Sequence, residues 1–227
     1  MKKTILLMAT VATLLLTSCA STRTRGSLYP NFYTENPVTL LVMPPINNTT
    51  NVEAKDLLYT SISYPLVEAG YYVVSPHLAL EMLKAESAYD AELFIDKDAA
   101  VFARVFGADA VVFSQIDKWE KVGIGIKTKI RYIVKSTKTN EVLFDRTCDL
   151  FLDLETEVSG KDDKSFLGVL LDAAATVVNT ALTDHIVAAR KCNKFVFSDI
   201  PRGKYSPDHM NDMDAAASEK DIKVTVK

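Results

Sequence analysis

Cysteine is the residue type in this chain with the clearest chemical potential, and it occurs three times among the 227 residues. A cysteine thiol can be alkylated, and two thiols can form a disulfide when their Cα atoms lie within about 7 Å. Cys148 and Cys192 fall in the body of the sequence, whereas Cys19 follows an apolar run over residues 5–16. Cys19 therefore lies where a secretory signal would end.

The residues before Cys19 predict a secretory signal peptide that ends in a cysteine motif. Lys2 and Lys3 give a basic start, and the apolar run is shorter than the roughly 20 residues that span a bilayer. Leu16-Thr17-Ser18-Cys19 resembles the lipobox of bacterial lipoproteins. The resemblance implies that diacylglycerol alkylates the Cys19 thiol, that the bond before it is cut, and that the new amino terminus is acylated. An ordinary signal peptide with an incidental cysteine is the alternative.

The residues after Cys19 bear on the destination of the chain. Ala20 stands where an aspartate would resemble the inner-membrane retention signal of many Gram-negative bacteria. Residues 21–25 lack the acidic cluster that resembles a surface-export signal. We therefore expect an outer-membrane lipid anchor with the body facing the periplasm. A Gram-positive origin would place the body on the outer face of the cytoplasmic membrane. Two acyl chains bind a membrane stably, so three should hold the protein permanently.

Composition indicates one globular domain. Removal of residues 1–18 takes away Lys2 and Lys3, so the formal net charge changes from −3 to −5. A mildly acidic chain lacks the basic face expected of a nucleic-acid-binding protein. With 48% hydrophobic and 24% charged residues, the chain suits a packed domain. We divide it into a signal peptide (1–18), a lipidated cysteine and tether (19–37), an α/β domain (38–192) and a carboxy-terminal tail (193–227).

Hydrophobic patterning predicts an α/β fold in the order β-α-β-α-α-β-β-β-α. Continuous apolar runs at residues 38–43 and 108–116 are typical of buried strands, and residues 53–69 have helical spacing with Pro65 expected to kink or break the helix. Helices between the early strands imply parallel pairing through crossovers. We expect a two-layer or three-layer structure in which helices cover at least one face of the sheet.

Two long strands after residue 120 alternate apolar and polar residues, which predicts an antiparallel hairpin with one solvated face. On that face a basic row is expected to lie opposite an acidic one. The basic row contains Lys127, Lys129, Arg131 and Lys135, and the facing row contains Asp145, Thr147, Asp149 and Asp153.

Several segments resemble known envelope proteins. Leu40-Leu41-Val42-Met43-Pro44-Pro45 with Asn47-Asn48-Thr49, and the later Gly107-Ala108-Asp109-Ala110-Val111-Val112, resemble strands of CsgG-like and TolB amino-terminal domains. Residues 65–73, 107–119 and 136–143 resemble a family of uncharacterised Gram-negative lipoproteins, often encoded beside a CsgG-type lipoprotein. The resemblance spans roughly residues 36–190. It implies a CsgG-like or TolB amino-terminal fold and a place in a multi-lipoprotein assembly, and it supplies no catalytic residues.

Two further features leave alternatives open. Cys148 lies on an apolar strand face and Cys192 follows a long predicted helix, so they form either a disulfide, which the periplasm permits, or two separate buried thiols. Trp119 ends a predicted strand beside Lys118. It is either a core residue at the end of the hairpin or an exposed contact for a partner, because tryptophan is enriched in interface hot spots.

No other pattern predicts catalysis or a cofactor. Gly123-Ile124-Gly125 lacks the third glycine and the following helix of a nucleotide-binding motif. His185 and the adjacent Asp184 are interpreted as polar surface residues and not as a base with its orienting carboxylate, because adjacent helix residues do not face each other. The densest candidate metal group lies in the tail, where a solvated acidic segment is favoured over a site. That group contains Asp208, His209, Asp212 and Asp214.

These observations favour a non-enzymatic, lipid-anchored interaction module in envelope assembly or secretion, acting alongside CsgG-type components. The expected partners are the membrane, through the acyl chains on Cys19, and other envelope proteins. We expect no metal, cofactor or nucleic acid. The alternatives are a regulator of peptidoglycan synthesis, since some synthase-activating lipoproteins have a similar TolB-like domain, and a hydrolase or ligand-binding protein with an unrecognised site.

Overall fold

A mixed β-sheet forms the centre of the molecule. The computed structural model describes residues 23–154 and 177–226, with side chains from residue 184 in the second range, so Cys19 lies outside the described residues. Within them the strand order is β3-β1-β4-β5-β6-β7, and β2 pairs with β4 beside this path. The strands are β1 (Thr39–Val42), β2 (Ile46–Asn47), β3 (Tyr72–Val73), β4 (Ala110–Val122), β5 (Gly125–Ser136), β6 (Val142–Leu152) and β7 (Asp221–Val226).

The strand directions confirm the predicted α/β arrangement. β1 is parallel to β3 and β4, and β2 is parallel to β4. β4, β5 and β6 form an antiparallel meander, and β7 returns parallel to β6. Crossover helices connect the parallel strands, because a parallel pair cannot be closed by a tight turn.

Helices cover both faces of the sheet and make three layers. α1 (Arg25–Leu28), α2 (Pro30–Glu35), α3 (Ala54–Glu68) and α6 (Val177–Phe197) lie on one face, and α4 (Pro76–Ala85), a short 3₁₀ turn (Ala91–Leu93) and α5 (Ala100–Phe106) lie on the other. Leu40 and Val42 of β1 pack into the first core, whereas Leu41 packs into the second. This two-sided burial explains the continuous apolar run in the sequence.

Helix α3 is not broken at Pro65. The helix runs on to Glu68, one turn beyond the proline. Proline removes the N–H that would bond the carbonyl of the residue four positions earlier, here Ser61. Because Pro65 lies close to the end of α3, only this bond near the terminus is lost and the helix is not interrupted.

The charged face of the β5–β6 hairpin is confirmed in part. Arg131 donates from Nε and Nη2 to the two carboxylate oxygens of Asp145, at 2.8 and 3.0 Å. Lys129 lies opposite Asp149 in the register. Lys135 differs from the prediction, because its side chain is buried and Nζ donates to the carbonyls of Ile95 and Lys97 at 3.2 and 2.6 Å. The segment before α5 covers this end of β5.

Both ends of the described chain differ from the predicted domain division. Tyr29, Phe32 and Tyr33, expected in a tether, are buried in the first core. Helix α6 continues past residue 192 to Phe197, and β7, within the segment predicted as a carboxy-terminal tail, extends the sheet. These segments carry enough aromatic and β-branched surface to be stabilised by packing on the domain.

Candidate functional site

The first described residues are hydrogen-bonded to residues 213–217 of the tail. Arg23 accepts a hydrogen bond at its carbonyl from the Ala217 N–H at 2.8 Å, and Thr24 forms an antiparallel bridge with Ala216. The Arg25 N–H donates to the Ala215 carbonyl at 2.9 Å. We call residues 23–26 and 213–217 the terminal seam. It lies at the base of the sheet, where β1, β4 and β6 begin and β5 ends.

An ion pair reinforces the seam from inside. Arg25 Nη1 lies 2.9 Å from Asp212 Oδ2, and Nη2 donates to the Ser198 carbonyl at 3.1 Å. Asp212 is buried and also accepts from the Arg202 N–H at 3.0 Å. The predicted solvated acidic segment is therefore wrong for Asp212, which serves as an internal partner of arginine. The described residues contain no group of three or more His, Cys, Asp or Glu side chains that could hold a metal ion.

Arg146 of β6 joins three parts of the chain in the core. Its guanidinium pairs with Asp199 at 2.8 Å and donates to the Ser218 hydroxyl and the Glu219 carbonyl, both at 2.7 Å. Its Nε donates to the Tyr29 hydroxyl. Burial raises the pKa of Tyr29 to about 12, and the Asp199 charge acts in the same direction. The amino-terminal segment, β6 and the tail are therefore held by one buried polar network.

The structure brings Cys148 and Cys192 together but holds them as free thiols in place of the disulfide that the sequence allowed. Both are fully buried between β6 and α6. Cys192 Sγ lies 3.1 Å from Thr128 Oγ1. Burial raises the pKa of the Cys192 thiol well above its usual value, and a hydrogen bond with Cys148 adds to the shift. The neutral thiols therefore act as packing residues with local hydrogen-bond partners.

Trp119 is a core residue, and its candidate role as an exposed partner contact is not supported. Its side chain is only 4% exposed. Indole Nε1 donates to Nδ1 of His185 at 2.8 Å, and the two rings are nearly parallel, at 15°, with centroids 5.9 Å apart. His185 therefore links α6 to β4. The interpretation of His185 as a polar surface residue did not predict this contact. Burial lowers the pKa of His185 below 6.5.

A groove runs along the surface between α3 and α6 towards the base of the sheet. Its upper part encloses about 590 Å³ and its lower part about 460 Å³, and Pro65, Glu68 and Lys194 line both parts, which makes them continuous. We call it the α3–α6 groove. The upper part is completed by Thr60, Ser61, Tyr64 and Arg190, and the lower part by Phe197, Ser198, Arg202, Ser206, Pro207 and Asp208.

The groove combines exposed aromatic surface with cations. Tyr64 of α3 is 69% exposed at the groove, whereas Tyr59 and Tyr71 are buried. Arg190 and Lys194 are four residues apart, so they lie on one side of α6. Sequence reasoning missed this groove, because its lower part is formed mostly by residues assigned to a carboxy-terminal tail outside the domain.

The sequence profile of the family described as "Putative lipoprotein GNA1162-like" matches residues 28–199. The chain belongs to this family. Among its relatives, the protein named "Putative lipoprotein NMB1124/NMB1162" of Neisseria meningitidis serogroup B is 25% identical over 181 residues, covering 79% of this chain and 83% of the relative. Membership of the GNA1162-like family identifies the chain as a relative of lipoproteins, in agreement with the resemblance of residues 16–19 to a lipobox.

Two solved structures can be compared with this chain. Lipoprotein GNA1162 from Neisseria meningitidis has a TM-score of 0.49 and 22% identity, covering 65% of this chain and 99% of that chain. The carboxy-terminal domain of LpoB from Escherichia coli has a TM-score of 0.39 and 19% identity, covering 54% and 94%. Among the described residues of the GNA1162-like chain, no helix has the length and apolarity needed to cross a membrane.

Proposed function

We propose that this GNA1162-like protein is held by acyl chains on Cys19 at the outer membrane, faces the periplasm, and acts as a non-enzymatic interaction module in envelope assembly or secretion. The terminal seam is the observation that supports this most directly. The first described residue, Arg23, lies four positions after Cys19 and accepts a hydrogen bond from Ala217. Four residues span at most about 14 Å when fully extended. The acylated cysteine would therefore hold the base of the sheet close to the membrane.

A close anchor at the base gives the domain a defined distal end. Strand β5 contains twelve residues between the hairpin tip and the base, which corresponds to about 40 Å of strand. Val122 and Ile124 at the tip are about half exposed, and Lys118 and Arg131 are exposed on the part of the long strands beyond the helices. In this arrangement these surfaces point into the periplasm, where they are available to other envelope proteins.

Membrane fractionation of two variants tests the anchor. Cys19→Ser removes the thiol, so we expect the protein to move from the outer-membrane fraction to the soluble periplasm. Ala20→Asp keeps the thiol and creates the aspartate that resembles a retention signal, so we expect attachment to the inner membrane instead. Cys19→Ser protein that remains in the outer-membrane fraction would contradict the proposal.

Crosslinking in intact envelopes, followed by purification of the lipidated protein, tests the interaction role. Recovery of a CsgG-type lipoprotein is the expected result. A wall synthase in its place would support regulation of peptidoglycan synthesis. Absence of a stable partner, together with thermal stabilisation by a small molecule, would support a ligand-binding protein, because a ligand that binds only the folded state raises its stability.

A further inference from the structure

The α3–α6 groove carries cations that have no partner within the described residues. Arg190, Lys194 and Arg202 line it, and none forms an ion pair in the part of the chain that the structure describes. By contrast, Arg25, Arg131 and Arg146 each pair with an aspartate. Cations without partners are notable in a chain whose formal net charge is −3 with its signal and −5 without it.

The acidic groups in the groove are fewer than the cations. Glu68 lines both parts and Asp208 lines the lower one. Glu68 lies one turn after Tyr64 on α3, close enough to raise the pKa of the Tyr64 hydroxyl through hydrogen bonding and its charge. The groove therefore presents three cations against two carboxylates, and Lys204 adds an exposed cation in the loop that follows.

The groove also lies next to the point where the anchor joins the domain. Ser198 lines the lower part, and its carbonyl accepts a hydrogen bond from Arg25 of the terminal seam. Arg23, two residues earlier, is itself exposed. Because Arg23 is only the fourth residue after Cys19, the groove cannot lie far from the lipid headgroups once Cys19 is acylated.

We propose that the α3–α6 groove binds the headgroups of anionic phospholipids in the membrane that carries the anchor. This inference rests on the proposed lipidation of Cys19, and it adds that the domain holds one orientation on the bilayer. Arginine and lysine are suited to phosphate, and Arg190 and Arg202 can each present two N–H groups to one headgroup. The attraction acts only within about one Debye length, roughly 8 Å at physiological salt, so the short link is required.

Vesicle co-sedimentation tests the groove without the acyl anchor. The mature chain with Cys19→Ser retains every described residue and lacks the lipidation site. It is mixed with vesicles of phosphatidylcholine alone, or of phosphatidylcholine with phosphatidylglycerol, at low and high NaCl. We expect binding to the anionic vesicles only, and we expect high salt to abolish it.

Charge variants locate the binding surface. The triple variant Arg190→Gln, Lys194→Gln, Arg202→Gln should lower the affinity for anionic vesicles at least about tenfold, since each basic residue near an anionic surface contributes appreciably. The matched control removes three cations near the distal hairpin, with Lys118→Gln, Lys121→Gln and Lys127→Gln, and should bind as the parent does. Thermal unfolding of each variant is measured as well, because Lys194 lies in the last turn of α6 and also interacts with its dipole.

Three outcomes would overturn the inference. The first is that the protein binds neutral and anionic vesicles equally, or binds neither. The second is that the distal control variant loses as much affinity as the groove variant. The third is that the groove variant binds vesicles as the parent does but no longer crosslinks to an envelope protein. The last result would assign the groove to an acidic protein partner. Failure here leaves the Cys19→Ser fractionation result intact, so the lipid-binding groove and the acyl anchor are tested separately.

Discussion

At the scale of single residues, the contact between Trp119 and His185 couples the position of α6 to a protonation state. Nδ1 of His185 accepts the indole N–H, so that nitrogen must keep its lone pair. Protonation of the imidazole removes the acceptor. Burial lowers the folded-state pKa of His185 below 6.5, so the unfolded chain binds the proton more readily. The contribution to stability is complete above about pH 6.5 and is lost as the pH falls from there through the folded pKa.

This contact predicts a pH-dependent fluorescence change that a single probe can report, because Trp119 is the only tryptophan in the chain. Acidification from about pH 8 to about pH 5 should quench and shift its emission while lowering the urea midpoint of unfolding. His185→Gln keeps an acceptor that does not titrate, and should remove most of the fluorescence step. The control, His77→Gln, changes an exposed histidine and should leave the step intact. A step that persists in His185→Gln would show that another group controls the tryptophan.

At the scale of elements, the tail is held against the end of α3 by two glycines. Gly70 has a φ of +93°, and the N–H groups of Gly203 and Tyr205 donate to the carbonyls of Ala69 and Gly70 at 2.9 Å. A Cβ on Gly70 would meet the backbone of Ser206, and one on Gly203 would meet the Gly70 carbonyl. Glycine is therefore required here by close approach as well as by backbone conformation.

Comparison of two glycine variants separates the cost of the positive φ from the cost of the close approach of the tail. Gly70→Ala and Gly107→Ala both place alanine at a positive φ after a helix, which costs about 1–2 kcal/mol. A Cβ at Gly107 meets nothing within 4 Å. We therefore expect Gly70→Ala to lower the free energy of unfolding by a further 1–3 kcal/mol or so, because it also overpacks the tail contact. Urea unfolding measures both. Equal losses would mean that the tail moves aside without cost.

The elements also show what the sequence could predict. The long strands were predicted from local patterns, such as the apolar run that contains Val111 and the alternation around Ile130. β7 was missed although Ile222, Val224 and Val226 alternate with polar residues, since the segment follows a long stretch rich in turn formers. The positions of His185, Arg146 and Asp212 depend on contacts between residues far apart in the chain, which no local pattern records.

At the scale of the whole molecule, the seam and the groove lie at one end and the hairpin tip lies at the other. With the proposed acyl anchor and the proposed lipid contact of the groove both at the base, the long axis of β5 should stand away from the bilayer. Arg23 and Lys204 would then lie near the headgroups, with Ile124 at the far end. A module fixed in this way offers the same surface to every partner, which lowers the orientational cost of binding.

Site-directed labelling tests this orientation. Lys204→Cys and Ile124→Cys each introduce one exposed thiol, and Cys148 and Cys192 should not compete for the label because both are fully buried. In proteoliposomes of the lipidated protein, a quencher on the lipid headgroups should suppress a fluorophore at position 204 and spare one at position 124, some 40 Å of strand away. Similar quenching at the two positions would mean that the domain lies flat or tumbles.

The terminal seam has a consequence for the timing of folding. Thr24 pairs with Ala216, and Arg25 pairs with Asp212, 187 residues further along the chain. A secreted chain emerges from the inner membrane with its amino-terminal end first, so those early residues wait for nearly the whole sequence before their partners arrive. Contacts of such long separation form slowly, since the intervening loop must be closed before they contribute. Under the proposed export and lipidation, Thr24 and Arg25 should therefore stay unpaired until export is almost complete, which would leave Cys19 accessible to the acylating enzymes.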